Sequence, residues 1–158
     1  RLLVEVVGNS SHKKSAARFY AVQALFQMEH SALTVDSVIM EFEEYRIGVE
    51  YNGIKMVDCN LPMFKTILNN AVDNQDKIDQ VTDRALAKNW PIERIDPTLR
   101  ALFRASGAEF FSEILPAKVI IVEYLDVAQA FFSQTKEIKF VNAVLDHMAR
   151  EFSPKSFE

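Results

Sequence analysis

Apolar side chains recur along the chain at intervals of three and four residues, the spacing of one face of an α-helix. In the first such stripe the side chains are small or apolar, at Ala17, Ala21, Ala24, Leu25 and Met28. Six further stripes lie at residues 38–42, 64–72, 78–86, 99–110, 116–132 and 138–152. The pattern therefore predicts a chain built from about seven helices.

Helix start signals precede several of these stripes. Thr34 or Asp36 can cap the second helix, and Pro62 suits the first turn of the third. Asp96 followed by Pro97 combines a capping side chain with proline at the first helical position. These signals place the predicted helix boundaries close to the stripes.

Three local features refine the predicted fold. Residues 46–60, with Gly48 and the pair Asn52-Gly53, predict a loop or short turn. Gly107 would let a neighbouring helix approach closely, and helix 116–132 is apolar almost all round, which predicts a position at the centre of the bundle. We expect an all-α, compact bundle of about seven helices forming a single domain over residues 1–158, with residues 1–11 as a flexible N-terminal extension.

Composition agrees with a globular protein. Of 158 residues, 49% are hydrophobic and 25% charged, which excludes wholesale disorder. The single cysteine, Cys59, can form neither an intrachain disulfide nor a multi-thiolate metal site, and it suits a reducing cytoplasm. No apolar run reaches the roughly 18 residues of a membrane span. We expect a cytoplasmic protein without membrane contact.

Charge is unevenly distributed along a chain whose net charge is −4. Residues 1–28 hold four cations and one carboxylate, a net +3, whereas residues 29–53 hold one arginine and six carboxylates, a net −5. Such asymmetry permits a local basic patch for a polyanion while the rest of the surface repels it. Lys13, Lys14 and Arg18 are the candidate phosphate contacts, and an ordinary solvated charge cluster is the alternative.

Motifs for catalysis or for metal binding are absent from the sequence. There is no phosphate-binding glycine loop, no dinucleotide fingerprint and no H-E-x-x-H. The three histidines lack metal-ligand spacing. Arg100 and Arg104, one turn apart, are expected to pair with Glu93, Asp96 or another carboxylate rather than with phosphate. We expect a protein that is not an enzyme and uses no cofactor and no metal.

Three blocks of the chain carry family motifs. Residues 17–27 have A-R-F-Y-A-V-Q-A-L-F-Q, residues 90–105 contain W-P-I-E-R followed by L-R-A-L-F-R-A, and residues 115–148 contain a Pro-initiated apolar helix followed by F-V-N-A-V-L-D. In order and spacing these blocks resemble the NusB family of bacterial transcription antitermination factors. The family's usual F-V-N-G is F-V-N-A here, and residues 15–16 are Ser-Ala where some relatives carry more arginine.

The resemblance implies an all-helical fold and a function in transcription. A NusB-like protein would bind the single-stranded boxA element of ribosomal RNA leaders together with NusE, a small-subunit ribosomal protein, and would help the RNA polymerase antitermination complex read through terminators. The acidic residues 29–53 would attract a basic ribosomal protein. Free, the protein would be a monomer or a homodimer. With fewer cations than some relatives, this chain should depend more strongly on its protein partner.

The resemblance also implies where RNA would bind. Family contact positions fall on Lys14, Arg18, Phe26, Phe131 and Phe140. Aromatic side chains stack on unpaired bases, but each of these phenylalanines could equally belong to the core. The predicted RNA-binding set is Lys13, Lys14, Arg18, Phe26, Phe131, Lys136, Lys139 and Phe140.

Two other functions are compatible with the same sequence. The chain could be a helical protein-interaction module, possibly a homodimer, with weak or lost RNA binding. It could also be the helical appendage of a ribosomal RNA cytosine methyltransferase, but these 158 residues hold no cofactor domain.

Overall fold

The computed structural model describes residues 10–86 and 91–158. Of the predicted N-terminal extension 1–11, residues 10 and 11 already belong to the first helix, and the rest lies outside the described residues. The described part of the chain contains seven α-helices, in agreement with the predicted number. They are α1 (Ser10–Glu29), α2 (Val35–Tyr45), α3 (Leu61–Asp73), α4 (Gln75–Ala85), α5 (Pro97–Ser112), α6 (Ala117–Phe131) and α7 (Thr135–Phe152).

Side-chain caps begin three of these helices where the sequence predicts a start. Thr34 Oγ1 accepts a hydrogen bond from Ser37 N at 3.2 Å, which begins α2. Asn60 Oδ1 accepts one from Met63 N at 3.0 Å before α3. Asp96 Oδ1 accepts one from Thr98 N at 2.7 Å before α5. Each cap satisfies a backbone N–H group that has no partner within the helix.

The predicted loop between α2 and α3 contains a small hairpin. Strands β1 (Glu50–Tyr51) and β2 (Ile54–Lys55) pair antiparallel. Asn52 and Gly53 turn the chain between them with φ angles of 52° and 81°. Two consecutive positive φ angles are the geometry for which Asn-Gly is preferred in two-residue hairpins.

The centre of the bundle is α5, because it contacts α1, α3, α4, α6 and α7. Ten of its 16 residues are buried. The prediction that helix 116–132 lies at the centre is wrong: in α6, Val119 and Val122 are 42% and 64% exposed. Periodicity cannot distinguish a helix surrounded by neighbours from one that leaves apolar side chains in solvent.

Gly107 lies where α5 and α4 come closest, as the sequence predicts. A Cβ at this position would overlap the Cγ2 methyl of Ile78 on α4. Both residues are buried. The absence of a side chain at residue 107 therefore sets the distance between the two helices.

Candidate nucleic-acid interface

Arg18 is buried in an ion network, at 3% exposure, instead of projecting beside Lys14. Its Nε and Nη2 donate to the two carboxylate oxygens of Glu109 at 2.8 and 3.1 Å, and its Nη1 donates to Glu123 at 3.1 Å. The Tyr124 hydroxyl donates to Glu109 Oε2 at 2.6 Å. The predicted surface position of Arg18 is therefore corrected: its guanidinium joins α1 to α5 and α6.

The pKa values in this network follow from burial and pairing. Desolvation alone would lower the pKa of Arg18, but the hydrogen bonds and charge of Glu109 outweigh it and raise the pKa. Burial, and next the charge of Glu109, raise the pKa of Tyr124 well above its ordinary value. Arg18 thus stays charged and Tyr124 stays a hydrogen-bond donor over the whole physiological pH range.

Lys13 and Lys14, at the N-terminal end of α1, have different surroundings. Lys13 Nζ lies 3.8 Å from Asp58 Oδ2, and both side chains are solvent-exposed, so the pairing is weak. Lys14 is exposed at the rim of a mostly apolar groove of about 290 Å³ between α1, α3 and α5. Lys14 is therefore the predicted cation of α1 that is most available to an external phosphate.

An aromatic groove of about 440 Å³ lies at the other end of α1. Phe26, 38% exposed, lines it beside the His30 ring, with the two ring centroids 4.5 Å apart. Phe131, at the end of α6, also lines the groove and stacks on Phe19 at 4.7 Å with an interplanar angle of 9°. The structure thus brings together two of the three predicted aromatic contacts, with Phe26 presenting more of its surface than the half-buried Phe131.

The groove also contains polar residues that the sequence analysis missed. Arg46 Nη1 and Nη2 donate to Gln23 Oε1 and Gln27 Oε1 at 3.5 and 3.3 Å, and the Arg46 guanidinium lies 4.6 Å from the centre of the Phe42 ring. Both glutamines line the groove. Gln23 and Gln27 are one helical turn apart, with Phe26 between them in the sequence. This pairing of amide side chains with an aromatic residue could have identified them as candidate RNA contacts.

Lys136, Lys139 and Phe140 belong to the first two turns of α7. Both lysines are exposed, but Phe140 is half-buried, with its ring centroid 6.4 Å from that of Phe103. Phe140 therefore contacts α5, whereas the lysines remain accessible to a polyanion.

Arg100 and Arg104 pair with carboxylates, as predicted, although not with Glu93 or Asp96. Arg100 Nε and Arg104 Nη1 both donate to Glu29, at 2.6 and 2.9 Å, and Arg104 also donates to Asp79 at 3.0 and 2.8 Å. These ion pairs connect the C-terminal end of α1 to α5, and α5 to α4. The two arginines are thereby engaged within the protein.

Other classes of site find no support in residues 10–86 and 91–158. No group of three or more His, Cys, Asp or Glu side chains there could hold a metal ion. None of the described helices is long and apolar enough to cross a membrane. The groove and the exposed lysines instead offer stacking surfaces, amide groups and cations, the combination by which proteins hold single-stranded nucleic acid.

Comparison with known proteins identifies the family. The model of the NusB family matches residues 15–150. The transcription antitermination protein NusB of Nitrobacter hamburgensis is 38% identical over 152 residues, which cover 96% of this chain and 94% of that protein.

Two solved structures share the fold. The NusB structure of T. maritima has a TM-score of 0.71 at 23% identity, covering 90% of this chain and 95% of that one. A crystal structure of the antitermination factors NusB and NusE in complex with dsRNA has a TM-score of 0.68 at 21% identity, covering 87% and 96%. By sequence motifs, family match and helical architecture alike, the chain belongs to the NusB family.

Proposed function

We propose that this chain is a non-enzymatic transcription antitermination factor that binds single-stranded boxA RNA of ribosomal RNA leaders. It acts together with the ribosomal protein NusE and promotes read-through by RNA polymerase. The antitermination role is supported by family membership and by the name of the relative at 38% identity. RNA binding is supported chiefly by one observation, the groove in which Phe26 and Phe131 meet Arg46, Gln23 and Gln27.

The groove provides two of the interactions that single-stranded RNA requires. The exposed part of Phe26 offers a stacking surface, worth about 1–3 kcal/mol per base. Glutamine amides can donate to and accept from base edges, and Arg46 can add a cation. Phosphates next to the stacked bases would meet Lys136 and Lys139, which follow Phe131 closely in the chain. Lys14, about 18 Å from Phe26 along α1, would meet a more distant phosphate.

The protein partner compensates for the small number of cations. Arg18 is occupied internally, so Lys13 and Lys14 are the remaining cations of α1. Residues 29–53 carry a net charge of −5 and expose apolar side chains, including Met40 at 66%. An acidic surface with apolar contacts suits a basic ribosomal protein, which would add its own cations to the RNA site.

Binding of labelled boxA RNA and of a scrambled control, measured across a salt series with and without purified NusE, tests the proposal. We expect a preference for boxA that strengthens when NusE is present. Equal and weak binding of both RNAs under all conditions would contradict it. That result would favour the protein-interaction module, for which the burial of Arg18 is the supporting observation.

A further inference from the structure

One side of α7 stays in solvent from its first turn to its last. Residues 136, 139, 142, 146 and 150 are three or four positions apart and therefore share this side. Four of them are exposed and Asp146 is half-buried. The side begins with Lys136 and Lys139 of the proposed RNA site and ends at Arg150.

A second aromatic and cationic site lies at the far end of this side. It is a groove of about 410 Å³ lined by α7, by Lys118 of α6 and by Phe157 of the 3-10 helix Pro154–Phe157. The Arg150 guanidinium carbon lies 4.4 Å from the centre of the Phe157 ring, and Lys118 Nζ lies 5.6 Å from it. Two cations therefore lie against the same aromatic ring.

The Arg150 guanidinium is oriented from two directions. Phe157 supports one face, and Nε donates to Asp146 Oδ2 at 2.9 Å. A guanidinium plane held in this way can carry a nucleobase on its other face, as arginines do in RNA complexes. Because Arg150 and Asp146 are 57% and 45% exposed, their pairing is weak in water and does not cancel the attraction for phosphate.

The charges of this surface favour a polyanion over a protein partner. This surface carries four cations, Lys118, Lys136, Lys139 and Arg150, and two carboxylates, Asp146 and Glu158. It therefore has an excess of two positive charges in a chain whose net charge is −4. From Lys139 to Arg150 the helix rises about 16 Å. At about 3.4 Å per stacked nucleotide, this span corresponds to roughly five nucleotides.

We propose that RNA flanking the boxA core continues along this side of α7 and ends on a second contact site formed by Lys118, Arg150 and Phe157. The inference rests on the proposed function, because it extends the same RNA path. It assigns the surface to flanking nucleotides rather than to the core element.

The test compares three RNAs in the presence of NusE: the boxA core, the core extended by five nucleotides at its 5′ end, and the core extended by five at its 3′ end. One of the two extensions should strengthen binding about tenfold, the gain from one stacked base with its phosphate contacts. Lys118→Gln combined with Arg150→Gln should abolish that gain. It should also reduce the slope of log affinity against log salt by about 1.4 for the extended RNA, since each of two phosphate contacts contributes about 0.7.

Two controls keep loss of folding apart from loss of contact. The double variant should bind the unextended core as the unsubstituted protein does. Lys77→Gln removes a cation from another ring, 5.7 Å from the centre of Phe111, and should leave the gain from extension intact.

The outcomes separate the inference from the proposed function. If the core is preferred over a scrambled RNA but neither extension adds affinity, or if the gain survives the double variant, the inference is wrong and the proposed function stands. If the core shows no preference, both fail.

Discussion

Arg18 and Glu109 face each other across the contact between α1 and α5 and share two hydrogen bonds, Nε to Oε2 and Nη2 to Oε1. The arginine is 3% and the glutamate 9% exposed. One turn earlier, Lys14 lies in solvent. Two cations separated by four residues thus have different surroundings: Arg18 joins two helices in the interior, and Lys14 is exposed to solvent.

Replacing Arg18 by glutamine should destabilise the protein by about 3–5 kcal/mol, because it leaves the buried Glu109 carboxylate without its cation. Urea unfolding measures this loss. Lys14→Gln is the matched control, and it should change stability by less than about 0.5 kcal/mol while weakening RNA binding. Equal stability of the Arg18 variant and the unsubstituted protein would contradict a structural role for the arginine.

Phe26→Ala should cost about 1–3 kcal/mol of boxA binding without loss of folding, since its ring is partly exposed in the groove. Phe131→Ala should reduce both affinity and stability, because it also removes the stack on Phe19. Phe111→Ala is the matched control, with a ring that is 39% exposed but lies outside the groove. Unchanged boxA affinity in the Phe26 variant would exclude the groove as the stacking site.

Gly107→Ala should destabilise the protein by about 1–3 kcal/mol, because the added methyl overlaps Ile78. Removing the obstructing side chain with Ile78→Ala tests the cause in a double-mutant cycle. The two substitutions together should cost less than the sum of their separate effects, by about 0.5–3 kcal/mol. Strict additivity would show that the overlap is relieved elsewhere.

Acid should weaken the contact of Glu29 with Arg100 and Arg104. The hydrogen bond from Arg100, reinforced by the nearby charges, lowers the pKa of Glu29 below its ordinary value of 4.5. The ionised Glu29 carboxylate therefore stabilises the folded protein above about pH 4.5, and this stabilisation is lost as the pH falls through the lower pKa that Glu29 has in the folded state. The difference in unfolding free energy between the unsubstituted protein and Glu29→Gln should therefore shrink below pH 4.5, and a constant difference would argue against this linkage.

Cys59 should resist alkylation while the protein is folded. Burial, and next the charge of Asp58, raise the pKa of its thiol to about 12, so very little thiolate exists at pH 8. Iodoacetamide labelling should be slow without denaturant and should accelerate across the urea unfolding transition. Rapid labelling of the folded protein at pH 8 would contradict the buried position.

Local signals predicted most of the helices. Three predicted start sites carry side-chain caps, and Gly107 was predicted as a close approach from its place in a buried stripe. Such features depend on residues only a few positions apart, so they can be recognised in a short stretch of the sequence.

The burial of Arg18 could not be predicted in the same way. Its partners Glu109 and Glu123 lie 91 and 105 residues further along the chain. No local pattern distinguishes a surface cation from one that a distant carboxylate will neutralise. The exposure of the α6 valines could not be predicted for a related reason. The spacing of apolar residues does not show how many other helices pack around a given helix.

The same sequence separation has a consequence during translation. On the ribosome, Arg18 emerges long before Glu109 and Glu123, which at about 5–20 residues per second follow after roughly 5–20 s. For that interval Arg18 has neither of its carboxylate partners, and α1 has only part of its apolar surface covered. The contact of α1 with α5 and α6 can therefore form only once the last third of the chain is being made, and until then α2 and α3 are the helices available to cover α1.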